Sequence, residues 1–236
     1  MLKNLNLDNV LFLDIETVPQ YVDYNALPGH FKKLWDEKAG RLRQGETQET
    51  PEDLYRRAGI YAEFGKIICI STGFITGSQF RIKSFYGDDE RELLAGFSGL
   101  LNRHYNTLQH LLCGHNGKEF DFPYIARRML VNKLPLPEIL NLAGKKPWEV
   151  QHLDTMDLWR FGDYKSYTSL NLLTAIFGIP SPKDDIDGSQ VYDIYWKEKD
   201  LERIVTYCQK DTLAVAQVLL SYLGKPLIRE TEVFVV

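Results

Sequence analysis

Asp14 and Glu16 stand two residues apart at the end of the apolar run Leu11-Phe12-Leu13. On a β-strand successive side chains point to opposite faces, so these two carboxylates project from the same side. Like charges held that close repel, and a half-buried carboxylate is costly unless it is paired or bound to metal. The pair therefore asks for a hard divalent cation that prefers oxygen ligands, Mg²⁺ or Mn²⁺. Alone, Asp-x-Glu after a strand is more often a strand end or a helix cap, so the chemistry has to come from partners elsewhere.

Two further segments supply them. Gly114-His-Asn-Gly-Lys-Glu-Phe-Asp121 follows an apolar strand and leads into a helix, which puts Asp121 at the strand ends where open α/β sheets bind ligands. By itself Asp121 reads as a helix cap. Tyr207-Cys-Gln-Lys-Asp211 lies in a long helical segment, where four-residue spacing stacks phenol and carboxylate one turn apart on one face. Two other signals fail on their spacing. Gly59 to Lys66 has one residue too many for a phosphate loop and Ile67 where Ser or Thr is required. Asp185-Ile-Asp187-Gly188 lacks the later ligands of a calcium loop.

The elements that must carry these groups are legible. Strands are expected at Val10–Asp14, Lys66–Phe74, Gln79–Tyr86, Leu108–Cys113 and Val150–Asp154, the second and third joined as an antiparallel hairpin through Ile75–Ser78. Helices are expected at 89–105, capped by Asp88 or Asp89, at Pro123–Val131 and at Asp200–Tyr222. Three strands followed by helix, strand, helix, strand make a mixed α/β sheet. Residues 20–65 break the scheme with helix-like segments at Phe31–Arg43 and Pro51–Tyr61, and read as a helical insertion whose charges form a solvated face.

Composition narrows the class. With 236 residues, 44% hydrophobic and 12% aromatic, the chain suffices for one substantial core, and a single domain over 1–236 is expected. A net charge of −4 excludes nucleic-acid binding through an overall positive field but not through a local basic groove. Cys69, Cys113 and Cys208 sit far apart in apolar segments, as reduced core thiols do. With no signal-peptide core and no membrane-length apolar run, the expected location is cytoplasmic, with no membrane partner.

In this arrangement the sequence resembles the DEDD exonucleases of the ribonuclease-H-like superfamily, in the branch whose third motif carries tyrosine. LFLDIETVP is similar to their first motif, HNGKEFDFPYI to the second and YCQKD to the third. Ser169 to Val191 is similar to the segment before the third motif in 3′-5′ exonucleases related to the proofreading domain of family-B DNA polymerases. The likeness spans about residues 10 to 220. The histidine branch does not match, because position 206 is Thr.

The resemblance implies a ribonuclease-H-like mixed β-sheet flanked by helices. It also implies a metal-dependent 3′-5′ exonuclease releasing nucleoside monophosphates from single-stranded DNA ends by two-metal-ion hydrolysis. Asp14 would bridge two divalent cations, Glu16 and Asp211 would complete the site of the water-activating ion, and Asp121 would assist the second. Tyr207 would orient the attacking water, since a phenol is a poor base at neutral pH. Thr17 and Asn116 match residues that hold the terminal nucleotide, and Phe120 either stacks on it or packs its helix, with packing ahead. Lys183, Lys165 and Arg127-Arg128 read equally as phosphate contacts or as solvated surface, and Asp154, which opens Asp-Thr-Met-Asp157, reads as a cap ahead of a place near the site. DNA stands ahead of RNA as substrate, although no motif reads a 2′-hydroxyl. A catalytically silent nucleic-acid-binding module is the remaining alternative, but its signature, loss of an acidic residue, is absent. No protein partner is specified.

Overall fold

The computed structural model describes residues 2–42, 49–163, 165–180 and 185–236. Its centre is strand β1, Val10–Pro19, which alternates between two cores. Leu11, Leu13 and Ile15 pack into one cluster, with Leu94, Phe97 and Ile125 among their neighbours. Val10 and Phe12 pack into another, with Val215, Ala216 and Leu219. Asp14 and Glu16 are in phase with Val10 and Phe12, so strand alternation assigns them to the face covered by the last helix.

The sheet grows outward from β1. Strand β2 (Gly65–Thr76) runs antiparallel beside it, and β3 (Gln79–Tyr86) pairs with β2 through the expected hairpin. On the other side β4 (Leu111–Gly114) and β5 (Leu153–Asp154) add in parallel, and β6 (Val233–Val235) closes the far edge against β3. The strand order is β5-β4-β1-β2-β3-β6. The registers Glu16↔Cys69 and Thr17↔Ile67 leave Ile68 as an extra residue, a bulge. Ile68 joins the cluster containing Tyr207, and Cys69 the cluster containing Cys208, so both neighbours serve the last-helix face.

Between β1 and β2 lies the helical insertion, α1 (Gly29–Leu42) and α2 (Pro51–Leu54) followed by a 3-10 turn, Tyr55–Ile60. The expected helix over Pro51–Tyr61 is thus a single α-turn that tightens. The insertion has a core of its own around Trp35, which is fully buried and whose indole N–H donates to Pro51 O at 2.7 Å. Helix α3 (Glu90–His104) is capped by Asp89, and α4 (Asp121–Val131) begins two residues earlier than expected, at Asp121 itself. α5 (Thr155–Arg160), α6 (Leu170–Ile176) and α7 (Val191–Asp193) precede α8 (Leu201–Tyr222). β4 starts later than the expected Leu108, which is 95% exposed in a turn where the Thr107 and His110 backbones bond each other.

One buried ion pair ties the layers together. Glu90 accepts from the Ile67 N–H and from Arg128, at 2.6 Å for the closest contact, while Arg128 also donates to Ala62 O. Arg128 is 3% exposed, so this pair and not a phosphate occupies it. Among the described residues no helix is long and apolar enough to cross a membrane.

His152 links β4 to the 137–141 turn: its Nδ1 accepts from the Leu112 N–H, which leaves Nε2 to donate to Ile139 O at 2.8 Å. Both bonds need the neutral ring, and burial lowers its pKa from 6.5 to about 4. The folded pKa lies below the unfolded one, so this contribution is complete above pH 6.5 and is lost as pH falls toward 4. The stability difference between wild type and His152→Gln, measured by denaturant unfolding, should shrink over that window by up to roughly 3 kcal/mol.

Candidate active site

Three elements deliver the carboxylates to one place. One ligand atom from each of Asp14, Glu16 and Cys208 lies within 4.8 Å of the other two. The Asp14 carboxyl is pushed well above the usual carboxylate range, first by burial and then by the negative charges of Asp211, Glu16 and Asp121. The other three sequence-identified acidic residues therefore all act on Asp14. Asp121, 4% exposed at the start of α4, is raised to about 7, chiefly by burial, with Asp154 and Asp211 adding to it. A hydrogen bond from the Ile15 backbone works in the opposite direction.

Tyr207 closes the cluster from α8. Its phenol donates to Asp211, and burial with the charges of Asp211, Glu16 and Asp14 drives its pKa far above the ordinary value of 10. α8 is fixed on the sheet by polar bonds along this face: Gln209 to Ser84 Oγ at 3.0 Å and Thr212 to Ser71 O at 3.2 Å. Cys208, one of three buried free thiols, donates from Sγ to Asp14 O and Oδ2, both at 3.4 Å. In the sequence it reads as a reduced core thiol, since only the tertiary fold brings α8 against β1.

The loop before α4 is set by a residue that reads as a simple cap. Asp154 does cap α5, accepting from the Met156 and Asp157 N–H groups. The same carboxylate also accepts from the Asn116 N–H at 2.9 Å and the Lys118 N–H at 3.0 Å. Those bonds hold Asn116 at φ 60°, in the left-handed region, and Gly117 against Gly114 and Phe122, where a Cβ would come within 2.9 Å of the Phe122 ring. The signal available in the sequence was Asp154 closing a strand, as Asp14 nearly does.

The remaining site candidates separate. The Asn116 amide oxygen is buried without a hydrogen-bond partner among the described residues. The Thr17 hydroxyl bonds the Tyr124 phenol. Phe120 packs on Tyr124, ring centroids 5.3 Å apart, and against the α3–α4 core, as the packing reading has it. Lys183 lies outside the described residues.

A family model described as "Predicted 3'-5' exonuclease related to the exonuclease domain of PolB" matches residues 60–229. The chain belongs to that family. The matched stretch contains Asp121, Tyr207 and Asp211 and begins after Asp14 and Glu16, which the fold returns to them. Among solved structures, the chain is similar to the family B DNA polymerase from the hyperthermophilic archaeon Pyrobaculum calidifontis, with a TM-score of 0.56 at 16% identity. That likeness covers 91% of this chain and 24% of the polymerase, so the chain spans about a quarter of its length. The fold is accordingly the ribonuclease-H-like one of a polymerase exonuclease domain. No curated protein matches the sequence.

Two outcomes follow from the charge balance. Because the folded pKa of Asp121 exceeds its unfolded value, its ionisation costs stability that is fully lost above about pH 7 and regained as pH falls toward 4. In chelator at pH 8, Asp121→Asn should therefore unfold at higher denaturant, by roughly 1–3 kcal/mol, with the gain vanishing near pH 4. Asp154→Asn should do the reverse, losing about 2–3 kcal/mol on the same assay, because an amide N–H₂ replaces one accepting oxygen opposite backbone donors.

Proposed function

We propose that the protein is a divalent-metal-dependent 3′-5′ exonuclease that releases nucleoside monophosphates from single-stranded DNA ends. The observation that carries this reading is the convergence of Glu16, Asp121 and Asp211 on the half-buried Asp14, which is acted on by all three like charges. The donors are carboxylate oxygens, the set a hard divalent cation selects, and the nearby thiol is already engaged with Asp14. These four residues would hold two cations, which when bound would supply an activated water and neutralise charge on the phosphate.

The chain's own groups perform the rest. Tyr207 stays protonated at physiological pH because its pKa is raised, so it positions the attacking water by hydrogen bonding and does not remove its proton. Asp211 fixes that phenol by accepting its hydrogen bond. Asn116, held left-handed by Asp154, offers its unsatisfied amide oxygen to the terminal nucleotide. Leaving such an oxygen buried and unpaired costs about 1–3 kcal/mol, which a nucleotide donor would relieve. Thr17 and Lys183 remain candidates for substrate contact.

End-labelled single-stranded DNA, duplex DNA and RNA, incubated with Mg²⁺, Mn²⁺ or chelator, test the reading. The expected result is a 3′-end ladder on single-stranded DNA with either metal, none with chelator, and a loss on the order of 10²–10³-fold or more in Asp14→Ala. Tyr207→Phe should slow turnover while leaving cation affinity nearly unchanged. Faster digestion of RNA would make the enzyme an exoribonuclease, and no ladder on any substrate would refute the proposal.

A further inference from the structure

The face that carries the carboxylates continues into a second cavity that hydrolysis does not use. Lys66 pairs with Val18, two residues beyond Glu16 on β1. Its neighbour Ile67 packs into the α3–α4 core, so alternation turns Lys66 to the α8 side, where its Nζ bonds the Tyr195 phenol at 2.7 Å. The cavity there has a volume of about 320 Å³ and is lined by Lys66, Asp88, Tyr195, Trp196, Lys199 and Leu201.

Its charges and rings are unusually arranged. Lys66 Nζ lies 4.9 Å and 5.4 Å from the ring centroids of Tyr195 and Trp196, and Lys199 Nζ lies 5.9 Å and 4.9 Å from the same two. Two ammonium groups thus share one pair of aromatic faces, and among the described residues neither is in an ion pair. Burial lowers the Lys66 pKa; Lys199 adds to that, while Asp88 and Glu90 oppose it. The Trp196 indole nitrogen is buried without a hydrogen-bond partner among the described residues. Both rings come from a π turn, Ile194–Glu198, a geometry rare in proteins and frequent at functional sites. The turn ends on Lys199 at φ 61°, a left-handed conformation that costs a non-glycine residue energy and persists where surrounding structure enforces it.

We propose that this cavity binds a nucleotide unit, its phosphate between the ammonium groups of Lys66 and Lys199 and its base on the face of Trp196, whose ring stands at 81° to that of the buried Tyr195. An arriving phosphate relieves the repulsion between the two ammonium groups and draws them off the rings. The freed Trp196 face then accepts any base, the sequence-tolerant stacking typical of single-strand grooves. The nucleotide comes either from within a strand whose 3′ end lies at the carboxylates or from a free mononucleotide. The first source rests on the exonuclease reading; binding itself does not.

The test measures binding in chelator, where no strand is cut, using tryptophan emission and the anisotropy of 5′-labelled dT12, with dTMP as the second ligand. Lys199 is exposed, so Lys199→Gln is expected to fold normally. Lys199→Gln and Lys66→Gln should each weaken dT12 binding about 3–10-fold and flatten its log–log salt dependence by about 0.7, the slope of one phosphate contact on a single strand. The quench on binding should disappear in Trp196→Phe. Quenching by dT12 alone assigns the strand, and quenching by dTMP at similar concentration assigns the free nucleotide. Wild-type affinity and salt slope in both lysine variants, with a quench that survives in Trp196→Phe, would overturn the proposal. A wild-type protein that binds through these lysines yet cuts nothing would refute only the exonuclease reading.

Discussion

The central constraint on this molecule is electrostatic: three carboxylates are gathered round a fourth, Asp14, which is itself half-buried. Burial and the like charges of Asp211, Glu16 and Asp121 drive Asp14 toward its neutral form, and Asp121 is raised to about 7. Neither shift helps the protein fold at neutral pH, where each ionisation is uphill. Perturbed carboxylates of this kind cluster at functional sites, and the proposed cations would offset the repulsion.

The rest of the fold opposes that repulsion. α8 is seated on the sheet by Gln209 and Thr212 as well as by Val215, Ala216 and Leu219, so Tyr207 and Asp211 cannot swing away from β1. Asp154 collects four backbone N–H groups on one carboxylate and thereby fixes the loop that precedes Asp121. The bulge at Ile68 gives β2 two consecutive residues on the α8 face, which packs the helix against both β1 and β2. On the opposite side the Glu90–Arg128 pair joins the insertion, the start of β2 and the two helices of that layer.

Charge is also sorted along this face. The net charge of −4 hides a division in which carboxylates gather at Asp14 and Glu16 while ammonium groups gather at Lys66 and Lys199, beside the end of the same strand.

Sequence periodicity alone determined that Asp14 and Glu16 share a strand face and that Tyr207 and Asp211 share a helix face, because those relations depend only on the repeat of the local backbone. It likewise located the hairpin, the insertion and the helix led by Asp89. It misplaced the start of β4 and left out β6, α5, α6 and α7, since three-residue strands and helices of one or two turns are stabilised by neighbours and carry little signal of their own. Arg128 read as a surface phosphate contact until Glu90, 38 residues away, was seen to bury it. Cys208 read as packing, Asp154 as a cap, and Lys66 with Trp196 as nothing in particular. Their roles depend on contacts between residues 36 to 194 positions apart, and only tertiary structure closes loops of that length. The four acidic side chains and the tyrosine were thus named by the sequence, whereas their convergence on one buried, mutually repelling cluster was decided by the packing of α8 and α4 against β1.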